Sequence, residues 1–131
     1  MIRVLSIEDE PDLQRLRALA LADEDFELHY AFNGPQGLEK ALLLAPDVIL
    51  CDLMLPGYDG RELIARLKED PATREIPIIV ITGYYDTDAY GETEIRRLGV
   101  FDYRPKPLPR DEMIALIRLA AAGAADASRP R

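Results

Sequence analysis

Apolar residues in this chain gather into five short runs: Val4–Ile7, Leu28–Phe32, Val48–Cys51, Ile78–Ile81 and Val100–Tyr103. Val48–Cys51 and Ile78–Ile81 are apolar throughout and rich in Val and Ile, the pattern of strands covered on both faces, as in a parallel sheet. The stretches between them carry apolar residues at helical spacing. Leu13, Leu16 and Ala20 form one stripe, and Leu38, Leu42 and Ala45 a second. Leu63, Ile64 and Leu67 form a third, Ile95 and Leu98 a shorter fourth, and Met113, Ile114 and Ile117 the last. Turn signals separate them: Asn33-Gly34, Ala45-Pro46, Pro56-Gly57, Asp59-Gly60, Asp70-Pro71 and Leu98-Gly99. Strand and helix alternate five times, which predicts an α/β doubly wound fold with helices on both faces of the sheet. Leu28–Phe32 carries His29, and the fifth run leads into Pro105, which cannot donate to a ladder. Both runs are therefore expected at sheet edges, with the other three in the centre.

Length and charge narrow the class. At 131 residues the chain fits one domain. We expect that domain over 1–120, followed by a tail over 121–131 that frays or is disordered. The formal net charge is −8, which argues against an electrostatic hold on nucleic acid or on anionic membrane. No apolar run approaches the roughly 20 residues of a membrane helix. The lone Cys51 cannot form an internal disulfide and suggests a reducing, cytoplasmic setting. In its apolar strand it reads as an inert core residue.

Parallel strands joined by right-handed crossovers bring their C-terminal ends to one edge, where α/β proteins bind ligands. After the first strand stand Glu8, Asp9 and Glu10; Asp52 ends the third, Thr82 ends the fourth and Lys106 follows the fifth. Two carboxylates about 4 Å apart repel by roughly 4 kcal/mol at an effective dielectric near 20. Such a rim calls for a proton or a cation, and hard oxygen ligands suit Mg²⁺. A hydroxyl and an ammonium beside a metal are also what a phosphoryl group needs, with Asp52 as carboxylate nucleophile. An acidic helix start favoured by the dipole explains Glu10 and Asp12 without further function.

Here the chain resembles the receiver domain of two-component response regulators, from about Arg3 to Leu119. Val4–Pro11 is similar to the first strand with its acidic pair, and Pro46–Gly60 to the segment around the phosphoacceptor. Ile76–Gly83 is similar to the fourth strand with its hydroxyl, and Phe101–Pro107 to the fifth with its lysine-proline pair. Glu8 departs from the more usual Asp, and Pro105 from a small polar residue. The resemblance implies a five-stranded parallel sheet in the flavodoxin-like order 2-1-3-4-5. It implies that Asp52 accepts a phosphoryl group from a histidine kinase or a histidine phosphotransfer protein. Mg²⁺ or Mn²⁺ would be held by Asp9, Asp52 and the Met54 carbonyl, with Glu8 acting through water. Thr82 and Lys106 would hold the phosphoryl oxygens, Thr82 and Tyr103 would form the switch, and Lys106–Pro107 would be cis. A downstream output protein would read the region after Thr82 and Tyr103, and the chain would be a monomer or weak dimer.

On this reading the chain is a signalling domain and not an enzyme in the ordinary sense. The alternative is an interaction module with a receiver fold that is never phosphorylated. A haloacid dehalogenase-like phosphatase would want a second Asp where Met54 stands, and a flavodoxin-like loop would not carry Glu8-Asp9-Glu10. Tyr84, Tyr85, Tyr90 and Tyr103 are candidates for a partner face. The helix after Gly83 is expected to be short.

Overall fold

The computed structural model describes residues 1–22, 25–83 and 91–127. In chain order the elements are β1 (Ile2–Ile7), α1 (Pro11–Ala20), β2 (Phe26–Ala31), α2 (Gly34–Leu44) and β3 (Val48–Cys51). A small hairpin, β4 (Met54–Leu55) and β5 (Tyr58–Asp59), precedes α3 (Gly60–Glu69). Then come β6 (Ile78–Thr82), α4 (Glu92–Arg96), β7 (Asp102–Pro105) and α5 (Arg110–Ala127). Five strands form one parallel sheet in the order β2-β1-β3-β6-β7. Counting only these five, the order is 2-1-3-4-5, the flavodoxin-like arrangement expected. The two runs assigned to the edges lie at the edges.

Period-two alternation divides each central strand between two cores. Leu5, Ile7, Ile49, Cys51, Ile78 and Val80 face one side, against Ala41 of α2, Leu63, Ile64 and Leu67 of α3 and Ile95 of α4. Val4, Val48, Leu50, Ile79 and Ile81 face the other, against Leu21 and, on α5, Met113, Leu116, Ile117 and Ala120. Helices thus cover both faces, which is why β3 and β6 are buried at every position.

Three expectations need correction. The fifth strand runs Asp102–Pro105, not Val100–Tyr103, because Gly99 at φ 91° belongs to the turn and Phe101 is exposed. On α2 the buried positions are Gly34, Gly37 and Ala41, while Leu42 is exposed and Ala45 is the left-handed cap. A Cβ on Gly37 would stand 2.7 Å from Ile7 Cδ1, so the helix lies close on the sheet and has no room there for leucines. On α1 the buried residues are Gln14 and Arg17, and Leu16 points outward. The hairpin and the extension of β1 to Ile2 were also not foreseen. Helix α4 is short, at five residues. Tyr84, Tyr85 and Tyr90 lie outside the described residues. No helix among the described residues is long and apolar enough to cross a membrane.

Candidate functional site

Each chemically active side chain sits where a strand of the parallel sheet ends. Glu8 and Asp9 follow β1, Asp52 follows β3, Thr82 is the last residue of β6 and Lys106 follows β7. Register enforces this convergence: Ile7 pairs with Cys51, and the Asp52 amide donates to the Ile7 carbonyl at 3.1 Å. Thr82 pairs with Pro105, and the Lys106 amide donates to the Thr82 carbonyl at 2.9 Å. The acids thereby stand together at the ends of β1 and β3, and the ammonium reaches them from β7 across the end of β6.

Glu8, Asp9 and Asp52 each offer a carboxylate oxygen, and these atoms lie within 4.8 Å of one another. Lys106 Nζ donates to Glu8 Oε1 and to Asp52 Oδ2, both at 2.7 Å. The second oxygen of Asp52 accepts from the Met54 amide at 3.3 Å, and Glu8 Oε2 accepts from the Glu10 amide at 3.3 Å. Glu8, Asp52 and Thr82 are buried. Burial pushes the Glu8 carboxyl above its ordinary value, Asp9 and Asp52 add to the rise, and Lys106 opposes it. Burial works against the Lys106 ammonium, yet its hydrogen bonds to Asp52 and Glu8 outweigh that and raise its pKa.

The loop beyond Asp52 is fixed by glycine. The Gly60 amide donates to the Leu53 carbonyl at 3.1 Å, and a Cβ at Gly60 would come within 2.5 Å of Leu53 Cα. Only a residue without a side chain lets the α3 start press so closely on the segment that follows Asp52. Asp59 then caps α3 by accepting from the Arg61 amide at 2.9 Å. Tyr103 lies at mid-strand in β7, opposite Val80, with its ring buried in the same core as Ile95. The Lys106–Pro107 bond is cis, as expected.

One part of the site was not foreseen. Arg17 and Gln14 sit under the rim, on the inward face of α1. Arg17 Nη1 donates to Ser6 Oγ at 2.8 Å, and Nη2 lies 3.8 Å from Glu8 Oε1. Ser6 Oγ in turn donates to Gln14 Oε1 at 2.7 Å. Gln14 Nε2 donates to the carbonyls of Ser6, Glu8 and Ala31. The available signal was Ser6, a hydroxyl inside an apolar strand, together with polar residues three apart on one helix face.

The donor set fits a hard divalent cation: clustered carboxylate oxygens, with Lys106 as the nearby ammonium. Comparisons agree with the geometry. The family model described as the response regulator receiver domain matches residues 4–118. Response regulator ArlR of Staphylococcus saprophyticus is 38% identical over 118 residues, covering 90% of this chain and 51% of that protein. The chain thus spans about half the length of the curated relatives it matches. Among solved structures, a putative response regulator from Chloroflexus aurantiacus superposes with a TM-score of 0.83 at 27% identity, covering 92% of this chain and 98% of that one. The receiver domain of sensor histidine kinase PA1611 from Pseudomonas aeruginosa, solved with a magnesium ion coordinated in its active site cleft, has the same fold. Its TM-score is 0.82 at 24% identity, over 92% of this chain and 98% of that one. Matched along most of its length by that family model, the chain belongs to the response regulator receiver domains of two-component signalling.

Proposed function

We propose that Asp52 is the phosphoacceptor of this receiver domain. The observation that carries the reading is the single ammonium of Lys106 bonded at 2.7 Å to both Asp52 and Glu8 beside a cluster of three carboxylates. An Asp52 carboxylate oxygen attacks phosphorus on a phosphohistidine, forming the acyl phosphate P–O bond as the P–N bond breaks and the imidazole leaves. Glu8, Asp9, Asp52 and the Met54 carbonyl are the candidates to hold Mg²⁺ or Mn²⁺, Glu8 through water. A bound divalent cation supplies charge stabilisation at the phosphoryl oxygens. Lys106 and the Thr82 hydroxyl hold those oxygens, and Lys106 leaves Glu8 to do so.

The donor is a histidine kinase or a histidine phosphotransfer protein. Beside Lys106 runs a groove of about 660 Å³ between α1 and α5, with Leu13, Leu16, Leu19, Leu108 and Met113 in its lining. It offers a protein donor an apolar seat next to the acceptor. The phosphoryl group shifts the population of the segment after Thr82, with Thr82 and the already buried Tyr103 as the switch pair, and an output protein reads that change. The receiver unit spans 1–120 and works in the cytoplasm. Hydrolysis of its own acyl phosphate resets it.

The test is titration with Mg²⁺ and beryllofluoride, a phosphoryl mimic, on wild type and Asp52→Asn, followed by NMR. Perturbation around Thr82 and Tyr103 in wild type alone is the expected result. An unchanged wild type would overturn the assignment and leave an interaction module that is never phosphorylated.

A further inference from the structure

We infer that Arg17 is a positioning residue of the phosphoacceptor site, a buried cation that holds Glu8 in place when Lys106 is drawn to the phosphoryl group. The inference rests on the reading of Asp52 as phosphoacceptor.

Glu8 Oε1 has two cations within 4 Å. Lys106 Nζ reaches it from the open rim at 2.7 Å, and Arg17 Nη2 reaches it from beneath α1 at 3.8 Å. The two cations differ in freedom. Lys106 ends a flexible stem that retains some exposure, and its ammonium already divides its bonds between Glu8 and Asp52. Arg17 is only 4% exposed, and a chain of bonds through Ser6 and Gln14 to the β1 and β2 carbonyls anchors its guanidinium. Every buried side-chain polar atom among the described residues has a partner, so nothing in this network is loose.

A buried guanidinium is expensive to keep, and a whole buried ion pair replaced by apolar side chains is often as stable or more so. Its place under Glu8 is explained by charge. The rim carries three carboxylates, Glu8, Asp9 and Asp52, and one ammonium. A phosphoryl group on Asp52 competes for that ammonium: two of its three hydrogens now go to carboxylates, and each one drawn to a phosphoryl oxygen weakens its hold on Glu8. Without Arg17, Glu8, with no exposed surface, would then keep the Glu10 amide at 3.3 Å and a water-mediated contact with the cation, but no side-chain cation in direct contact. A buried carboxylate stripped of its counter-ion is strongly disfavoured. Arg17 is charged at every working pH and cannot be drawn away, so Glu8 keeps a partner throughout.

The test compares wild type, Arg17→Met, Arg17→Lys, Glu8→Gln and the double variant Arg17→Met/Glu8→Gln. Each is titrated with beryllofluoride at saturating Mg²⁺, and its metal-free melting temperature is recorded. Arg17→Met is expected to melt below wild type, because it breaks a buried ion pair from one side, and the folded variant to bind beryllofluoride at least about tenfold more weakly. Arg17→Lys, which keeps the charge, should recover most of that loss. In the Glu8→Gln background, where no carboxylate needs holding, adding Arg17→Met should change affinity less than about twofold. Equal affinity in Arg17→Met and wild type, or the same tenfold loss with and without Glu8, would overturn the inference. Should Arg17→Met fail to fold, Arg17→Lys against Glu8→Gln/Arg17→Lys carries the same comparison. A wild type that ignores beryllofluoride would instead refute the phosphoacceptor reading.

Discussion

Lys106 Nζ lies 2.7 Å from Asp52 Oδ2, although 54 positions separate the two residues in the chain. Strand order creates this pair: β6 stands between β3 and β7, so the two side chains meet across its end. The same ammonium holds Glu8 from 98 positions away. The ends of three strands, β1, β3 and β7, thus contribute to one ion cluster, and the cluster forms only when these strands have assembled around β6.

Lys106→Met should therefore expose the repulsion that the ammonium now offsets. In metal-free buffer we expect a loss of about 1–3 kcal/mol, below the full cost of breaking a buried pair because Lys106 is partly solvated. Excess Mg²⁺ should raise the melting temperature of Lys106→Met more than that of wild type, because the cation takes over the same carboxylates. Thermal melts with and without Mg²⁺ decide this. Equal Mg²⁺ shifts in the two proteins would show that lysine and metal do not share a site.

Gly60 and Gly83 give an internal contrast on the loops that flank the rim. An alanine methyl at Gly60 would meet Leu53 backbone, whereas nothing among the described residues lies within 4 Å of a Cβ at Gly83. Gly60→Ala should lose about 1–3 kcal/mol from overpacking against atoms that cannot rotate away. Gly83→Ala should fall within about 0.5 kcal/mol of wild type, as for a surface change away from special features. Urea denaturation of both variants measures the difference, and a tolerated Gly60→Ala would mean that the α3 start can retreat from Asp52.

Cys51 should make the fold sensitive to alkali. Burial, reinforced by the negative charge of Asp52, pushes its thiol from an ordinary 9.0 up to about 12. The folded protein keeps the thiol neutral while the unfolded chain ionises it, so its share of stability is lost as pH rises from about 9 toward 12. One pH unit above the unfolded value costs about 1.4 kcal/mol. Wild type should therefore lose about that much more than Cys51→Ala between about pH 8 and about pH 10 in matched urea titrations. A disulfide reagent at about pH 8 should label the thiol only in the unfolded chain. Parallel alkaline limbs for the two proteins would contradict the assignment.

Much of the site could be read in the sequence because its residues stand next to strand ends, and strand ends are marked by the transition from apolar runs to Gly, Pro and charge. Asp52 and Thr82 follow directly on Val48–Cys51 and Ile78–Ile81, whose boundaries the structure reproduces to within one residue. Central strands were legible because both faces demand apolar side chains. The network beneath Glu8 was not, since an inward face is ordinarily found by looking for leucines. On α1 the inward face over the rim serves the carboxylates and is polar, Gln14 and Arg17, whereas Leu16 and Leu19 are turned out at 61% and 74% exposure. Apolar periodicity alone therefore missed the polar inward residues and misplaced Leu16, although Ala20 of the same stripe does pack against the core. On α3, which covers a purely apolar part of the sheet, the same reasoning found Leu63, Ile64 and Leu67 correctly.

That contrast between α1 and α3 is itself measurable. Leu63→Ala removes a side chain with no exposed surface from the centre of the α3 core, and we expect a loss of about 2–5 kcal/mol. Leu16→Gln removes a leucine that is largely in water, and its cost should stay within about 0.5 kcal/mol. Leu16 is nonetheless placed to matter for function, because it lines the groove that runs beside Lys106. A protein phosphodonor seated there would lose apolar contact with Leu16→Gln, while a small phosphodonor would not touch it. Phosphorylation of Leu16→Gln should thus slow severalfold with a cognate histidine kinase and proceed at the wild-type rate with acetyl phosphate. Equal slowing with both donors would locate the effect at the Asp52 rim instead of the groove. No slowing with either would remove this face from the path of the phosphoryl group.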